Sequence, residues 1–146
     1  VTVVSLRVAG EPAPQGSKRH VGKGILVESS RKVAPWREAV ISEIYRAGWR
    51  DFQFPGCVEV STTFLFKRPK AHYRTGQFSE MLKDDAPRYV GQKPDLDKLI
   101  RSTWDALTQS GIIRDDAMIV VSRANKLWCG TTELPGALIT IGDMPQ

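Results

Sequence analysis

Two cysteines and two histidines in 146 residues leave little material for the chemistries that depend on them. Cys57 and Cys129 stand far apart, in or beside apolar, strand-like stretches, and form no CxxC unit, so they read as reduced, mostly buried small hydrophobes and not as a disulfide framework. His20 has no second histidine at metal-ligand spacing; no zinc-ligand cluster exists, and an exposed position is expected for it. No apolar run approaches the length that crosses a bilayer, and the first residues lack the basic-then-apolar order of a secretory signal. The expectation is a cytoplasmic protein, with an initiator Met or tag removed ahead of Val1. There is no Gly-rich phosphate loop, which argues against a doubly wound nucleotide-binding fold, and there are no internal repeats or low-complexity tracts.

What is present is basic. Lys and Arg outnumber Asp and Glu by 21 to 16, for a formal charge of +5 and an isoelectric point near 9.4. Such a balance suits a polyanionic partner, though it also serves plain solubility. The length fits one domain with a single substantial core.

Residues 2–9 alternate, with Val4, Leu6 and Val8 on one face, and predict a strand. The breakers from Gly10 to Gly16 then impose a loop in which Gln15, Ser17, Lys18 and Arg19 offer donors to phosphate oxygens. A short strand is expected near Gly24–Val27. A helix capped by Ser29 or Ser30 follows to about Ala47, with Trp36, Val40, Ile41, Ile44 and Tyr45 at helical spacing and Gly48 as its stop. Residues 56–66 form the clearest strand, with Val58, Val60, Thr62, Phe64 and Phe66 on one side. Beyond it Lys67, Arg68, Lys70 and Arg74 open a long polar connection, either a DNA-binding arm or a partly disordered one. Near the end, residues 118–124 and 126–129 supply strand material with a bend expected at Asn125. Pro135-Gly136 then turns the chain into a last strand bearing Ala137, Ile139 and Ile141.

The chain is organised around Lys93-Pro94-Asp95-Leu96-Asp97-Lys98-Leu99-Ile100-Arg101, followed by Asp105-Ala106-Leu107 and then Asp115-Asp116. Pro94, Asp95 and Asp97 suit the first turn of a helix whose apolar stripe runs through Leu96, Leu99, Ile100, Thr103 and Leu107, and Gly111 suits its C-terminal cap. Carboxylates converging from Asp95, Asp97 and Asp116 repel one another unless a cation sits among them, and a hard divalent ion such as Mg²⁺ is the economical candidate. Helix-start electrostatics and an ordinary Asp-Asp turn account for the same residue types without a metal. An EF-hand fits poorly, since Leu99 and Ile100 fall where its loop needs an oxygen donor and a Gly.

Pro94-Asp95-Leu96-Asp97-Lys98-Leu99, Arg101, Trp104-Asp105-Ala106-Leu107, Gly111-Ile112-Ile113 and Asp115-Asp116 together resemble the signature of the RusA family of Holliday junction resolvases, small endonucleases of phages, prophages and bacteria. The signature covers about residues 93–116, with a looser likeness over most of the chain. The resemblance implies a Mg²⁺ site, with Mn²⁺ able to substitute, built from Asp95, Asp97 and Asp116, with Asp115 as the adjacent acidic position. It also implies a functional basic residue at Arg101, where the best-known members have Lys, and Arg braces phosphate without serving as a proton donor. Lys98 stands where Asn is common. Lys93 before the proline and Lys126 in the later strand match basic positions of the family, and with Lys98 they join the DNA-binding set.

The fold expected is a single α+β domain over 1–146, a mixed sheet packed against two main helices. The activity implied is Mg²⁺-dependent hydrolysis that resolves four-way DNA junctions by paired nicks, in the cytoplasm of a bacterial or phage-infected cell. A homodimer would match the two-fold symmetry of the DNA, with Trp36, Tyr45 and Trp128 as candidate interface residues. A nuclease for other branched or replication intermediates and a non-catalytic DNA-binding protein are the alternatives.

Overall fold

Alternation settles which side of each strand faces inward. Val4, Leu6 and Val8 of β1 (Val3–Ala9) are buried, as are Ala137, Ile139 and Ile141 of β6 (Gly136–Asp143) and Val58, Val60, Thr62 and Phe64 of β4 (Val58–Phe66). The computed structural model describes residues 1–16, 18–20, 26–28 and 31–145, with Lys18–His20 and Leu26–Glu28 described by backbone alone. The main sheet has the order β1-β6-β4-β5, where β5 is Ile119–Trp128. β6 pairs antiparallel with β1 and with β4, whereas β4 and β5 run parallel, so the sheet is mixed. β2 (Lys18–His20) and β3 (Leu26–Glu28) form a separate antiparallel pair. At the start of β6, Gly136 has φ +153°, and a Cβ there would collide with the Val8 carbonyl, so only glycine lets β6 close against β1.

A parallel pair needs a crossover, and here it carries α2 (Leu96–Ser110). Phe54 N–H donates to the Ile112 carbonyl just before β4, while Lys126 near the end of β5 reaches the Pro94 carbonyl. α2 therefore runs against the direction of β4 and β5, and its N-terminus lies at their C-terminal ends. With α1 (Val33–Arg46) it covers one face of the sheet. Trp36 is buried and donates its indole N–H to Thr103 Oγ1 at 3.1 Å, and Tyr45 donates to the Ser110 carbonyl at 3.4 Å, so α1 is tied near both of its ends to the C-terminal half of α2. Trp36 is thus a core residue and is withdrawn as an interface candidate. On the opposite sheet face Val3 and Leu138 are exposed, whereas Leu65 is buried.

Several boundaries differ from expectation. α1 begins at Val33 after Lys32, which makes no side-chain cap, and Ser29 and Ser30 lie outside the described residues. Asp95 is the N-cap of α2 and not part of its first turn, and the Lys93–Pro94 peptide bond ahead of it is cis. Gly111 closes α2 in the left-handed conformation, at φ +85°. β5 runs through Asn125 without a bend because each of its residues from Val121 to Trp128 has a partner on β4, and Met118 belongs to the 3₁₀ turn before it. The long connection after β4 folds on itself: Arg74 N–H donates to Met81, Lys83 N–H to His72, and two 3₁₀ turns occupy Lys70–His72 and Gly76–Phe78. Residues 88–90 then line the edge of β5, through Trp128 N–H to Arg88 and Val90 N–H to Lys126.

Candidate metal centre and nucleic-acid interface

The start of α2 is held from two sides. Lys126 Nζ donates to the carbonyls of Gln92 and Pro94 at 2.7 and 2.8 Å, fixing the strand that delivers Asp95. On the other side the loop after β1 crosses the helix, with Gln15 N–H on the Lys98 carbonyl at 2.9 Å and Ser102 Oγ on the Ala13 carbonyl at 2.6 Å. Asp95 and Asp97 both face solvent. Although Asp95 is the N-cap, its carboxylate accepts no capping hydrogen bond; Lys98 Nζ stands 3.8 Å from it. Pro14, Lys93, Pro94, Asp95 and Lys98 line a shallow cleft of about 290 Å³.

The second acidic group sits in the 3₁₀ turn Asp116–Met118, which packs against α2. Asp115 accepts from Ala117 N–H at 2.8 Å, and this bond, with a hydrogen bond from Asp116 and the charge of Arg114, holds its carboxyl below the ordinary range. Asp116 is pushed the other way, first by partial loss of water, then by its bond to Asp115 and the charges of Asp115 and Asp105. Asp105 in turn lies 3.7 Å from Arg37 Nη1, which also donates to Gln15 Oε1 at 3.2 Å.

Asp105 is therefore the α2 carboxylate that acts on Asp116. It lies eight residues beyond Asp97, about 12 Å along the helix axis. Among the described residues no three acidic, histidine or cysteine side chains stand close enough together to ligate one ion. The convergence expected of Asp95, Asp97 and Asp116 is thus not a closed cage. The chemistry of the donors still suits a hard divalent cation: all are carboxylates, Asp95 is not used as a cap, and Asp116 is crowded by negative charge that a cation would relieve.

The basic residues divide by what they touch. Arg68 donates to the carbonyls of Cys129 and Pro87 at 2.8 and 2.7 Å, and Arg74 to Leu82 and to Asp84, so these two staple the connection after β4. Lys126 is likewise directed at carbonyls. Lys67, Lys70, Lys93 and Arg101 are exposed, and their side chains have no hydrogen-bond or ion-pair partner among the described residues. Ser17 and the side chains of Lys18 and Arg19 lie outside the described residues. Asp105 and Arg37 were not assigned to the site from sequence. Asp105 was legible as the next residue after Asp97 and Arg101 on an i, i+4, i+8 strip, but the Arg37–Asp105 contact joins two helices and has no local signal.

Among the described residues no helix is long and apolar enough to cross a membrane. No curated protein matches the chain. The profile of the family described as Endodeoxyribonuclease RusA matches residues 9–141.

Proposed function

The chain belongs to the RusA family of endodeoxyribonucleases, nucleases of branched DNA, and on that premise we propose that it resolves four-way junctions by paired, Mg²⁺-dependent nicks as a homodimer. The observation that carries the reading is the start of α2, where Asp95, free of its capping role, borders a cleft with Lys93 and Lys98 and Asp97 faces solvent in the first turn.

Asp95, Asp97 and Asp116 would hold the ion, with Asp115 as the adjacent acidic group. Mg²⁺ is commonly bound through one or two carboxylates, waters and substrate phosphate, so residues from two elements need not close a cage. A divalent ion there supplies Lewis-acid activation of the phosphate and an acidified water. Arg101, exposed on α2, braces the phosphate as negative charge builds on it. Lys93 and Lys98 draw the strand into the cleft, and Lys67 and Lys70 extend the basic surface beyond it. Lys126 acts as a positioning residue, because its donors hold the carbonyls that precede Asp95. Gln15, whose N–H meets the Lys98 carbonyl, brings the loop after β1 to α2 from the other side, and Ser17, Lys18 and Arg19 follow it in sequence.

An isologous dimer presents two such sites related by the axis that also relates opposed strands of the junction. The test is cleavage of an immobile four-way junction beside a linear duplex of the same arm sequence, with Mg²⁺, with Mn²⁺ and with EDTA. The expected result is paired nicks in opposed arms leaving 5′ phosphate and 3′ hydroxyl, supported by either metal, with the duplex cut far more slowly. Equal cutting of both overturns junction selectivity, and faster cutting of a fork or flap transfers the reading to other branched intermediates. Sedimentation at micromolar concentration should return twice the 16.3 kDa chain mass; a monomer both free and on the junction defeats the paired-nick scheme.

A further inference from the structure

We propose that the cleft at the C-terminal ends of β4 and β5 is a receptor for one unpaired nucleobase of the branched DNA, beside the phosphate bound at the start of α2; this deepens the reading as a branched-DNA nuclease and rests on it. The cleft encloses about 550 Å³, within the ~300–1,000 Å³ usual for ligand pockets. Its body is apolar, with Phe66, Val90, Trp128 and Pro135, and its rim carries Lys67, Gln92 and Lys93. That division matches a nucleotide, whose base has flat apolar faces and polar edges and whose backbone is anionic.

The walls are held in place. Phe66 and Trp128 are register partners in the parallel ladder, so their side chains stand next to each other on the helix-covered side of the sheet. The His72 ring meets Trp128 edge to face, with centroids 5.1 Å apart at 87°. Arg68 ties the carbonyls of Cys129 and Pro87, and residues 88–90 are stitched to β5 by Trp128 N–H to Arg88 and Val90 N–H to Lys126. A base therefore meets a preformed aromatic surface, which preserves the gain from stacking.

The charges favour an anionic ligand. Lys67 and Lys93 are exposed and have no partner among the described residues. The one carboxylate at the rim, Glu11, is paired with Lys32 at 2.9 Å. Position links the cleft to the cutting site. Lys93 lines both this cleft and the smaller one containing Asp95. Lys126, whose Nζ holds the Pro94 carbonyl, precedes Trp128 by two residues, about 7 Å along the strand. A strand with one phosphate at Asp95 thus carries a neighbouring nucleotide to the cleft. In a duplex that base is stacked and paired, and extracting it is costly; at a branch point its stacking is already interrupted, so the cleft selects branched over linear DNA within each protomer.

The experiment is a titration of the ¹⁵N-labelled full chain in EDTA with the single-stranded hexanucleotide (dT)₆, following the indole N–H resonances. Trp128 is assigned by its loss in Trp128→Phe, and the buried Trp36, bonded to Thr103, is the internal reference. The Trp128 resonance should move while that of Trp36 stays. In parallel, Gln92→Trp, an exposed position at the cleft mouth, should weaken junction binding by ~10-fold, the scale of one lost base–aromatic stack, and leave duplex binding unchanged. An unmoved Trp128 resonance, or equal weakening of junction and duplex binding by Gln92→Trp, overturns the proposal. Mg²⁺-dependent cutting by the same wild-type preparation keeps the two readings apart. Junction cleavage with an unmoved Trp128 removes the cleft alone, whereas failure to cut any branched DNA removes the nuclease reading whatever Trp128 does.

Discussion

Asp95 and Asp115 occupy the same kind of position, the residue before the first turn of a helical element, and both have extended backbone. Their carboxylates are used differently. Asp115 accepts from Ala117 N–H at 2.8 Å and so completes its own turn. Asp95 caps nothing and faces outward, with Lys98 Nζ at 3.8 Å. An aspartate that serves as a cap stabilises its helix start by about 0.5–2 kcal/mol. Under the proposed function that unrealised gain leaves the Asp95 carboxylate available to a cation, whereas Asp115 is committed to local structure.

The sharpest way to break this comparison is to remove the charge without the volume. Asp97→Asn and Asp116→Asn should each lower Mg²⁺-dependent junction cleavage by ~10²–10³-fold, by analogy with the loss of a group that acts on charge in the transition state. Junction binding in EDTA should hold or tighten, because negative charge beside phosphate has been removed. Gel shift and nicking on the same preparations check both halves; wild-type cleavage by either variant takes that residue out of the mechanism.

Lys126→Met tests the support of the start of α2. Losing two charge-assisted bonds to the Gln92 and Pro94 carbonyls should destabilise the chain by about 1–3 kcal/mol. Cleavage should fall on the order of 10-fold, the effect of a misplaced ligand and not of a missing one. Denaturant unfolding alongside single-turnover cleavage measures the two. Loss as deep as that of Asp97→Asn would make Lys126 a phosphate ligand instead.

A smaller effect is expected at the committed carboxylate. Asp115→Asn retains an oxygen that can accept from Ala117 N–H, so cleavage should drop only a few-fold, and a loss matching Asp116→Asn would erase the distinction drawn from the caps.

The smallest effect concerns pH. Asp116 has its carboxyl raised in the folded chain, by partial loss of water and then by Asp115 and Asp105. A raised carboxyl favours the protonated form on folding, so its contribution is fully present below the unfolded value and is lost as pH rises through the folded one. In metal-free protein the Tm advantage of Asp116→Asn over wild type should therefore be larger at pH 7 than at pH 4. Added Mg²⁺ should then raise the Tm of wild type more than that of the variant, since only wild type retains all the charged ligands. Thermal melts at both pH values, with and without Mg²⁺, decide it.

Much of the fold was legible because its signals are local. The inward faces of β1, β4 and β6 follow from alternation at Val4-Leu6-Val8, Val58-Val60 and Ile139-Ile141, and the span of α2 follows from its stripe and from Gly111. The basic run after β4 was legible as charge but not as contacts. Arg68 and Arg74 are turned onto carbonyls and Asp84 by a connection that folds on itself, whereas Lys67 and Lys70 remain exposed. Trp36 is ambiguous for a related reason: helical spacing puts it on an apolar face that suits either core or interface, and only α2, with Thr103 in reach of its indole, makes that face interior.

By itself, then, the sequence determined the class of the protein. The order of acids, Pro94 and Gly111, and the apolar stripe between them are properties of neighbouring residues, and they lie within residues 9–141, the range that the family profile matches. Only the tertiary structure decided which carboxylate caps and which does not, that Asp105 faces Arg37 and adds its charge to Asp116, and that Phe66, Val90 and Trp128 enclose a cleft beside Lys93. Each of these depends on the parallel pairing of β4 with β5 and on α2 running back against both strands. A crossover brings together residues whose separation in the chain carries no periodic signal, so their meeting is set by packing and not by local pattern.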